Sequence, residues 1–383
     1  MEAIVLAGGL GTRLRGVVDD LPKCLAPVAG RPFLDYLFDA LKQYGFSRVV
    51  LSVGYKSDFI ENWAAGRDWP FELVFAVETE PLGTGGAIRY ALGKCSSDEV
   101  IVFNGDTFFP ADPSSLNFQS PVCVALKPMR NFERYGAVEL SSGRITAFHE
   151  KAPVAEGLIN GGVYAINRKL LDFSAFPEKF SFERDYLEPA CKRGELAGTV
   201  SDSYFIDIGV PEDFARAQKE LPEWQETMRV RREVLDFPAE FLFLDRDGVI
   251  NRHLKDDYVK NWGEFEFRPG MPEFFAGFAE RFRRIVIVTN QRGVGKGLMS
   301  SEDLSDIHIR MIDAIEKAGG KIDAILVATG IDDPRRKPAP AMFCEACDLF
   351  PEIRPETSVM VGDSPSDQAF AAAASIPFIQ VNE

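Results

Sequence analysis

Residues 1–14 read MEAIVLAGGLGTRL and residues 240–251 read EFLFLDRDGVIN, two short apolar runs that each break into a polar, glycine-bearing turn. A continuous apolar run of four to six residues suits a strand buried on both faces, as in a parallel sheet covered by helices. The segments that follow keep that rhythm. After AIVLA come RPFLDYLFDALKQYG with helical spacing, RVVLSVG as a strand, a helix from about Ser57, then ELVFAV and EVIVFNGD. Strands alternating with helices in this way predict βαβ units.

The stretch from Val122 to Ile166 is richer in strands, and a helix opened by Pro211 follows DIGVPED. After Leu221 the chain reads PEWQETMRVRREVLDFPAE, charged and closed by Pro238. This predicts a connecting helix whose Arg229, Arg231 and Arg232 form a solvated or interdomain face. A second βα series starts afresh at Glu240. The expected organisation is a first domain over 1–221, a linker helix over 222–238 and a second domain over 239–383. The fold class is α/β, with two Rossmann-like domains of mostly parallel sheet.

A length of 383 residues is itself more than one ordinary domain. The formal charge of −15 speaks against a nucleic-acid partner, because such binding rests on neutralising phosphates. No run approaches the roughly 18 apolar residues of a membrane span, and no basic leader precedes the first strand. Six scattered cysteines fit a reducing compartment, so a cytoplasmic protein is expected. Cys344 and Cys347, in AMFCEACDLF, read as buried positions of an amphipathic helix with no nearby histidine to complete a zinc site. The three histidines, His149, His253 and His308, are too separated for a histidine-based metal centre. Nothing in the sequence bears on oligomeric state.

In the first loop, Gly8, Gly9 and Gly11 allow backbone amides to approach a phosphate, while Thr12 and Arg13 add a hydroxyl and a forked cation. LPKCLAPVAGRP then supplies Lys23 as a second cation. Two carboxylates at strand ends, Asp106 in FNGD and Asp207 in FIDIGVPEDF, offer the hard oxygen ligands that Mg²⁺ takes. Asp106 alone reads as a turn residue.

The string GGLGTRL, eight residues, then PKCLAPVAGRP resembles the signature of the sugar-phosphate nucleotidyltransferases over about residues 1–220. The resemblance implies attack of a sugar 1-phosphate oxygen on the α-phosphate of a nucleoside triphosphate, with loss of pyrophosphate. It implies Arg13 and Lys23 as catalytic cations, Asp106 and Asp207 as the carboxylates that hold Mg²⁺, and Leu6, Gly8, Gly9, Gly11, Thr12, Gly83 and Thr84 around the nucleotide. It also implies Glu150, Lys151, Asn160 and Gly161 around the sugar phosphate. Glu78, in VETEPLGTGG, stands where the family reads the base. A carboxylate there accepts two donors from guanine and is repelled by thymine or uracil. Glu80, or a merely solvated Glu78, are the competing readings.

The second strand end delivers Asp245 and Asp247 at i and i+2. IVIVTNQRG, RRKPAP and VMVGDSPSD then bring Thr289, Lys337, Asp363 and Asp367, each after an apolar run or turn. These four ordered motifs resemble the haloacid dehalogenase superfamily. The resemblance implies Asp245 as nucleophile, Asp247 as proton donor and acceptor, and Thr289 and Lys337 on the transferring phosphoryl group. Mg²⁺ is implied on Asp245, the Asp247 carbonyl and Asp363, with Asn290, Arg292 and Arg336 on the sugar phosphate. About 40 residues between Asp247 and Thr289 predict the capless branch. Within it, DRDGVIN, TNQRGVGKG and RKPAP are similar to heptose bisphosphate phosphatases and their histidinol-phosphate phosphatase relatives. Many of those carry a zinc loop before the R-K-P motif, whereas ATGIDDPRRKP has no ligand for one, so no zinc is expected. His253 reads as either a substrate-loop or a surface residue.

Together the two resemblances imply a bifunctional enzyme that removes the 7-phosphate of a heptose 1,7-bisphosphate and activates the heptose 1-phosphate with GTP. Its partners would then be nucleoside triphosphate and sugar phosphates alone. The alternatives are another sugar 1-phosphate with UTP, dTTP or CTP, a histidinol-phosphate-type phosphatase half, or a non-catalytic nucleotide-sugar sensor. The last would be expected to lack Arg13, Lys23, Asp106 or Asp245, and all four are present.

Overall fold

The computed structural model describes residues 1–9, 20–254 and 257–382, and the chain divides into two units, Met1–Leu221 and Pro222–Glu383. Among the described residues of the first unit, nine strands form one sheet. Their order across it is Glu72–Val77, Arg48–Val53, Glu2–Leu6, Glu99–Asn104, Val154–Asn167, Val122–Phe132, Leu196–Val200, Arg144–Lys151 and Gly136–Ser141. The first four are parallel. The chain leaves the strand Glu2–Leu6 toward one side and later returns on the other, as Glu99–Asn104. This reversal is a topological switch point, where an open α/β sheet leaves a crevice at the carboxyl ends of its strands. Leu6 pairs with Asn104, so Ala7–Gly9 and Gly105–Asp106 emerge side by side. Gly105 passes so close that an added Cβ would lie 2.5 Å from the Leu6 carbonyl oxygen.

Val154–Asn167 is antiparallel to its neighbours and slips register between Asn160 and Tyr164. Gly162 takes φ +73° there, and Gly161 packs so tightly on the Phe109 ring that a Cβ would stand 2.3 Å from it. The slip is a bulge that bends the strand toward the crevice. Phe173, Phe180, Phe182 and Tyr186 pack ring against ring and press their segment onto the helix Gly83–Leu92. A Cβ on Gly85 would meet the Phe180 ring at 2.2 Å.

Among the described residues of the second unit five strands, all parallel, run in the order Ala324–Ala328, Arg284–Asn290, Phe241–Leu244, Ser358–Gly362 and Phe378–Gln380. Leu244 pairs with Val361, so Asp245 and Asp363 leave adjacent strand ends at this sheet's own switch point. Between Asp247 and Thr289 the named elements are the turn Trp262–Glu264 and the eight-residue helix Phe274–Arg281, too little for a cap domain.

Two local readings differ from the sequence. The helix opened by Pro211 runs to Asp236 as one 26-residue element across Pro222, where a separate connecting helix had been expected from residue 222. Val230 and Val234 near its end are buried in the second unit's core. The helix Ala341–Leu349 carries the C-x-x-C, but Cys344 is exposed and Cys347 half-buried. The helical period turns Met342, Phe343 and Ala346 inward, and Cys344 falls on the opposite flank.

Candidate active sites

At the first switch point lies a cavity of about 480 Å³. Leu6, Gly8, Gly9, Lys23, Glu78, Gly83, Thr84 and Asp106 line it, all expected from the sequence. Gly11, Thr12 and Arg13 lie outside the described residues. Lys23 is the electrostatic hub: its Nζ stands 2.5 Å from Asp106 and 3.5 Å from Asp207. Two carboxylates converging on one ammonium leave an excess negative charge. Burial, and then the neighbouring Asp106, push the Asp207 carboxyl above its ordinary range despite the lysine. The pair fits a divalent cation: its donors are hard oxygens, and one lysine does not neutralise them.

Glu78 is fixed in place rather than solvated. Its Oε1 accepts from the Ser52 hydroxyl at 3.1 Å and its Oε2 from the Leu82 amide at 3.1 Å. Each carboxylate oxygen keeps a further lone pair for a ligand. Glu80 is exposed and does not line the cavity.

The expected sugar residues are dispersed. Glu150 and Lys151 are exposed at the end of the strand Arg144–Lys151 and do not line the cavity. Asn160 donates to the Tyr164 hydroxyl and accepts from the Gly162 amide, holding the bulge. Among the lining residues not assigned to the site from the sequence, three carry oxygen-bearing side chains: Ser52, Asn104 and Glu183. Ser52 and Asn104 pair with Leu6 near or at the ends of their strands, which their places after apolar runs could have signalled. Glu183 is far from the motifs in sequence, and only the aromatic packing of its segment brings it in.

At the second switch point a cavity of about 220 Å³ is lined by Asp245, Asp247, Asn290, Arg292, Arg336, Lys337 and Asp363 among others. Lys337 Nζ lies 2.8 Å from Asp245 and 2.5 Å from Asp367, and both it and Asp367 are almost wholly buried. Asn290 secures the lysine's backbone, accepting from its amide and donating to its carbonyl. Asp367 has a second duty. Its other oxygen accepts from Ser364 in a capping box that starts the helix Pro365–Ala374.

Burial raises Asp245 to about 7; Lys337 opposes that rise, while Asp367 and Asp247 add to it. Asp247 goes the other way. Burial alone would raise it, but the Arg246 guanidinium and hydrogen bonds from Asn251, Arg246 and Gln291 hold it below the usual carboxylate range. Gln291 donates to Asp247 at 2.6 Å and to the Thr289 hydroxyl at 3.0 Å. Arg246 is fully buried, with His308 Nε2 3.3 Å from its far nitrogen. A guanidinium only donates, so that imidazole nitrogen is bare. Burial, then Arg246, push His308 down to about 4.

Oxygen atoms of Asp245, Asp363 and Asp367 lie within 4.8 Å of one another, a donor set for a metal ion. Burial raises Asp363 as well, so the cluster is rich in uncompensated negative charge. The Asp247 side chain is turned to Arg246, Asn251 and Gln291, leaving its carbonyl as its route to a metal. His253 Nδ1 stands 3.3 Å from Asp363 and lines the cavity, which places it in the site rather than on a bare surface. Arg246, Asn251 and Gln291 were overlooked in the sequence, although they sit inside DRDGVIN and TNQRG.

A family model described as nucleotidyl transferase matches residues 2–223, and one described as haloacid dehalogenase-like hydrolase matches residues 149–375. The chain is 46% identical over 229 residues to D-glycero-alpha-D-manno-heptose 1-phosphate guanylyltransferase of Aneurinibacillus thermoaerophilus, covering 58% of this chain and 100% of that protein. It is 39% identical over 148 residues to D-glycero-alpha-D-manno-heptose-1,7-bisphosphate 7-phosphatase of Mycobacterium tuberculosis, covering 37% of this chain and 78% of that protein. Among solved structures, HddC from Yersinia pseudotuberculosis complexed with GMP-PN superposes with a TM-score of 0.51 at 36% identity. That match covers 57% of this chain and 98% of that one.

Proposed function

The chain belongs to the nucleotidyl transferase family and to the haloacid dehalogenase-like hydrolases, and we propose that it carries out two successive steps of nucleotide-sugar synthesis. The second unit removes the 7-phosphate of D-glycero-D-manno-heptose 1,7-bisphosphate. The first joins the resulting heptose 1-phosphate to GTP, forming GDP-heptose and pyrophosphate. One observation carries this reading: the two halves match separate relatives, and the product implied by one relative's name is the substrate named in the other.

In the phosphatase unit, an oxygen of Asp245 forms a bond to the phosphorus while the bond to the C7 oxygen breaks. The alcohol leaves with a proton from Asp247, and water then cleaves the aspartyl phosphate, giving its proton back to Asp247. Arg246, Asn251 and Gln291 keep Asp247 ionised at rest, which suits the second role. The first role needs the bound phosphate dianion to raise its proton affinity. Lys337 offsets the repulsion between carboxylate and phosphate, and Thr289 holds the phosphoryl group. The unpartnered guanidinium nitrogens of Arg292 and Arg336 in this cavity suit the sugar's other phosphate.

In the transferase unit, an oxygen of the heptose 1-phosphate attacks the α-phosphorus of GTP and pyrophosphate leaves. Gly8 and Gly9 line the phosphates, Lys23 and Arg13 neutralise charge, and Glu78 reads guanine. Lys151, with Glu150, reaches the sugar phosphate only if its strand end closes on the cavity. Mg²⁺ would be held by Asp106 and Asp207 in one unit and by Asp245, Asp363 and the Asp247 carbonyl in the other. It would supply charge neutralisation on phosphate oxygens. The carboxylate donors suit Mg²⁺ rather than zinc. No helix of the described residues is long and apolar enough to cross a membrane, and six free cysteines suit work in the cytoplasm.

The test is incubation with heptose 1,7-bisphosphate, Mg²⁺ and each nucleoside triphosphate in turn. GDP-heptose from the GTP reaction is the expected product. A nucleotide sugar formed equally from UTP or dTTP, or none at all, contradicts the assignment.

A further inference from the structure

We propose that Glu183 is a substrate-binding residue that grips a vicinal diol in the first unit's cavity, a proposal that rests on the transferase reading above. Glu183 lines the cavity and forms no ion pair among the described residues. One carboxylate oxygen, Oε2, accepts from the Thr84 hydroxyl at 2.8 Å and from the Ser181 hydroxyl at 3.2 Å. These two contacts fix the carboxylate plane. The other oxygen has no recorded protein donor among the described residues.

The surroundings indicate what that oxygen would meet. Thr84 stands at the start of the helix Gly83–Leu92, on the nucleotide side, and its hydroxyl also accepts from the Phe182 amide at 2.8 Å. Burial first, and then the charge of nearby Glu183, disfavour ionisation of the Tyr164 phenol, and Tyr164 is held by Asn160 of the sugar-side bulge. Glu183 thus lies between the two expected subsites. It lies in the first turn of a short π-helix, Phe182–Leu187, an irregularity often found where a helix presents a functional side chain. An ionised carboxylate accepts and never donates, so its natural ligand is a donor pair without charge. Both substrates carry one: the ribose 2′- and 3′-hydroxyls of the nucleotide, and ring hydroxyls of the sugar phosphate.

The experiment measures affinity by calorimetry for GTP, 2′-deoxy-GTP, 3′-deoxy-GTP and heptose 1-phosphate, on the unmutated full chain and on Glu183→Gln. Glutamine keeps an oxygen for Thr84 and Ser181, so packing is retained while the charged acceptor is lost. Binding of one substrate should weaken about tenfold to a hundredfold, the range for a hydrogen bond to a charged group. If the diol is ribose, a deoxynucleotide loses a similar factor on the unmutated protein and little more on Glu183→Gln. If it belongs to the sugar, only heptose 1-phosphate affinity falls. Unchanged affinity for both substrates overturns the proposal, as does a loss seen only in Glu183→Ala together with a lowered melting temperature. Failure of the unmutated protein to release pyrophosphate overturns the transferase reading instead, because diol binding is read without turnover.

Discussion

Lys337 Nζ stands 2.8 Å from Oδ1 of Asp245, with both side chains withdrawn from solvent. The lysine is shared with Asp367 at 2.5 Å, so one cation faces two carboxylates, and a third, Asp363, lies beside them. Buried charge this unbalanced is costly for stability, and it is what a metal ion and a phosphate would resolve together.

That imbalance has a thermodynamic consequence. Burial pushes Asp245 up to about 7 in the folded protein, against 3.8 for a solvated aspartate. Between those values the folded state keeps a proton that the unfolded state has released. Stability therefore falls as pH rises from about 4 to 7. In chelator, Asp245→Asn should melt higher than the unmutated protein at pH 7.5, with the gap closing toward pH 4. A gap that stays constant with pH would show that Asp245 does not carry this burden.

Gly248 turns the chain immediately after Asp247 at φ +79°, and an added Cβ would lie 1.9 Å from an Asp363 oxygen. Gly248→Ala should cost at least about 1–3 kcal/mol of second-unit stability from backbone strain alone. Phosphate release should fall more than a hundredfold, because Asp363 must move, while pyrophosphate release is retained. Thermal melting and the two release assays check this; normal phosphatase activity in the variant would refute the close approach.

Glu78 is held by Ser52 and the Leu82 amide, so its orientation is set before any base arrives. Glu78→Gln keeps the shape and removes the charge. The preference for GTP over UTP and dTTP should drop by roughly tenfold or more, while the KM for heptose 1-phosphate changes little. Equal turnover of GTP and dTTP by the unmutated protein would remove the base-reading role.

The parallel strands of both sheets were legible as unbroken apolar runs, but the switch points and the antiparallel pairing of Val154–Asn167, Arg144–Lys151 and Gly136–Ser141 were not, because strand order is set by contacts distant in sequence. Asp245, Lys337 and Asp106 were legible because each follows such a run or a proline-stiffened turn. What escaped notice depends on contacts distant in sequence. Nothing near Lys23 announces that it bridges Asp106 and Asp207, 83 residues from the first of them. Arg246 drew no reading from the sequence, and nothing beside it announces that it is fully buried against His308. Glu183 enters its cavity only because Phe180 stacks where Gly85 has no side chain. The exposure of Cys344 is a matter of helical phase, which an apolar-looking segment of nine residues does not fix.

If two independent sites act in series on one chain, Asp245→Asn separates them. Phosphate, pyrophosphate and nucleotide sugar are followed by phosphorus NMR with Mg²⁺ and GTP. From heptose 1,7-bisphosphate the unmutated protein should yield phosphate, pyrophosphate and GDP-heptose, and the variant none of them. Given heptose 1-phosphate, the variant should release pyrophosphate at the unmutated rate. A folded variant that fails on heptose 1-phosphate as well would contradict the two-site account.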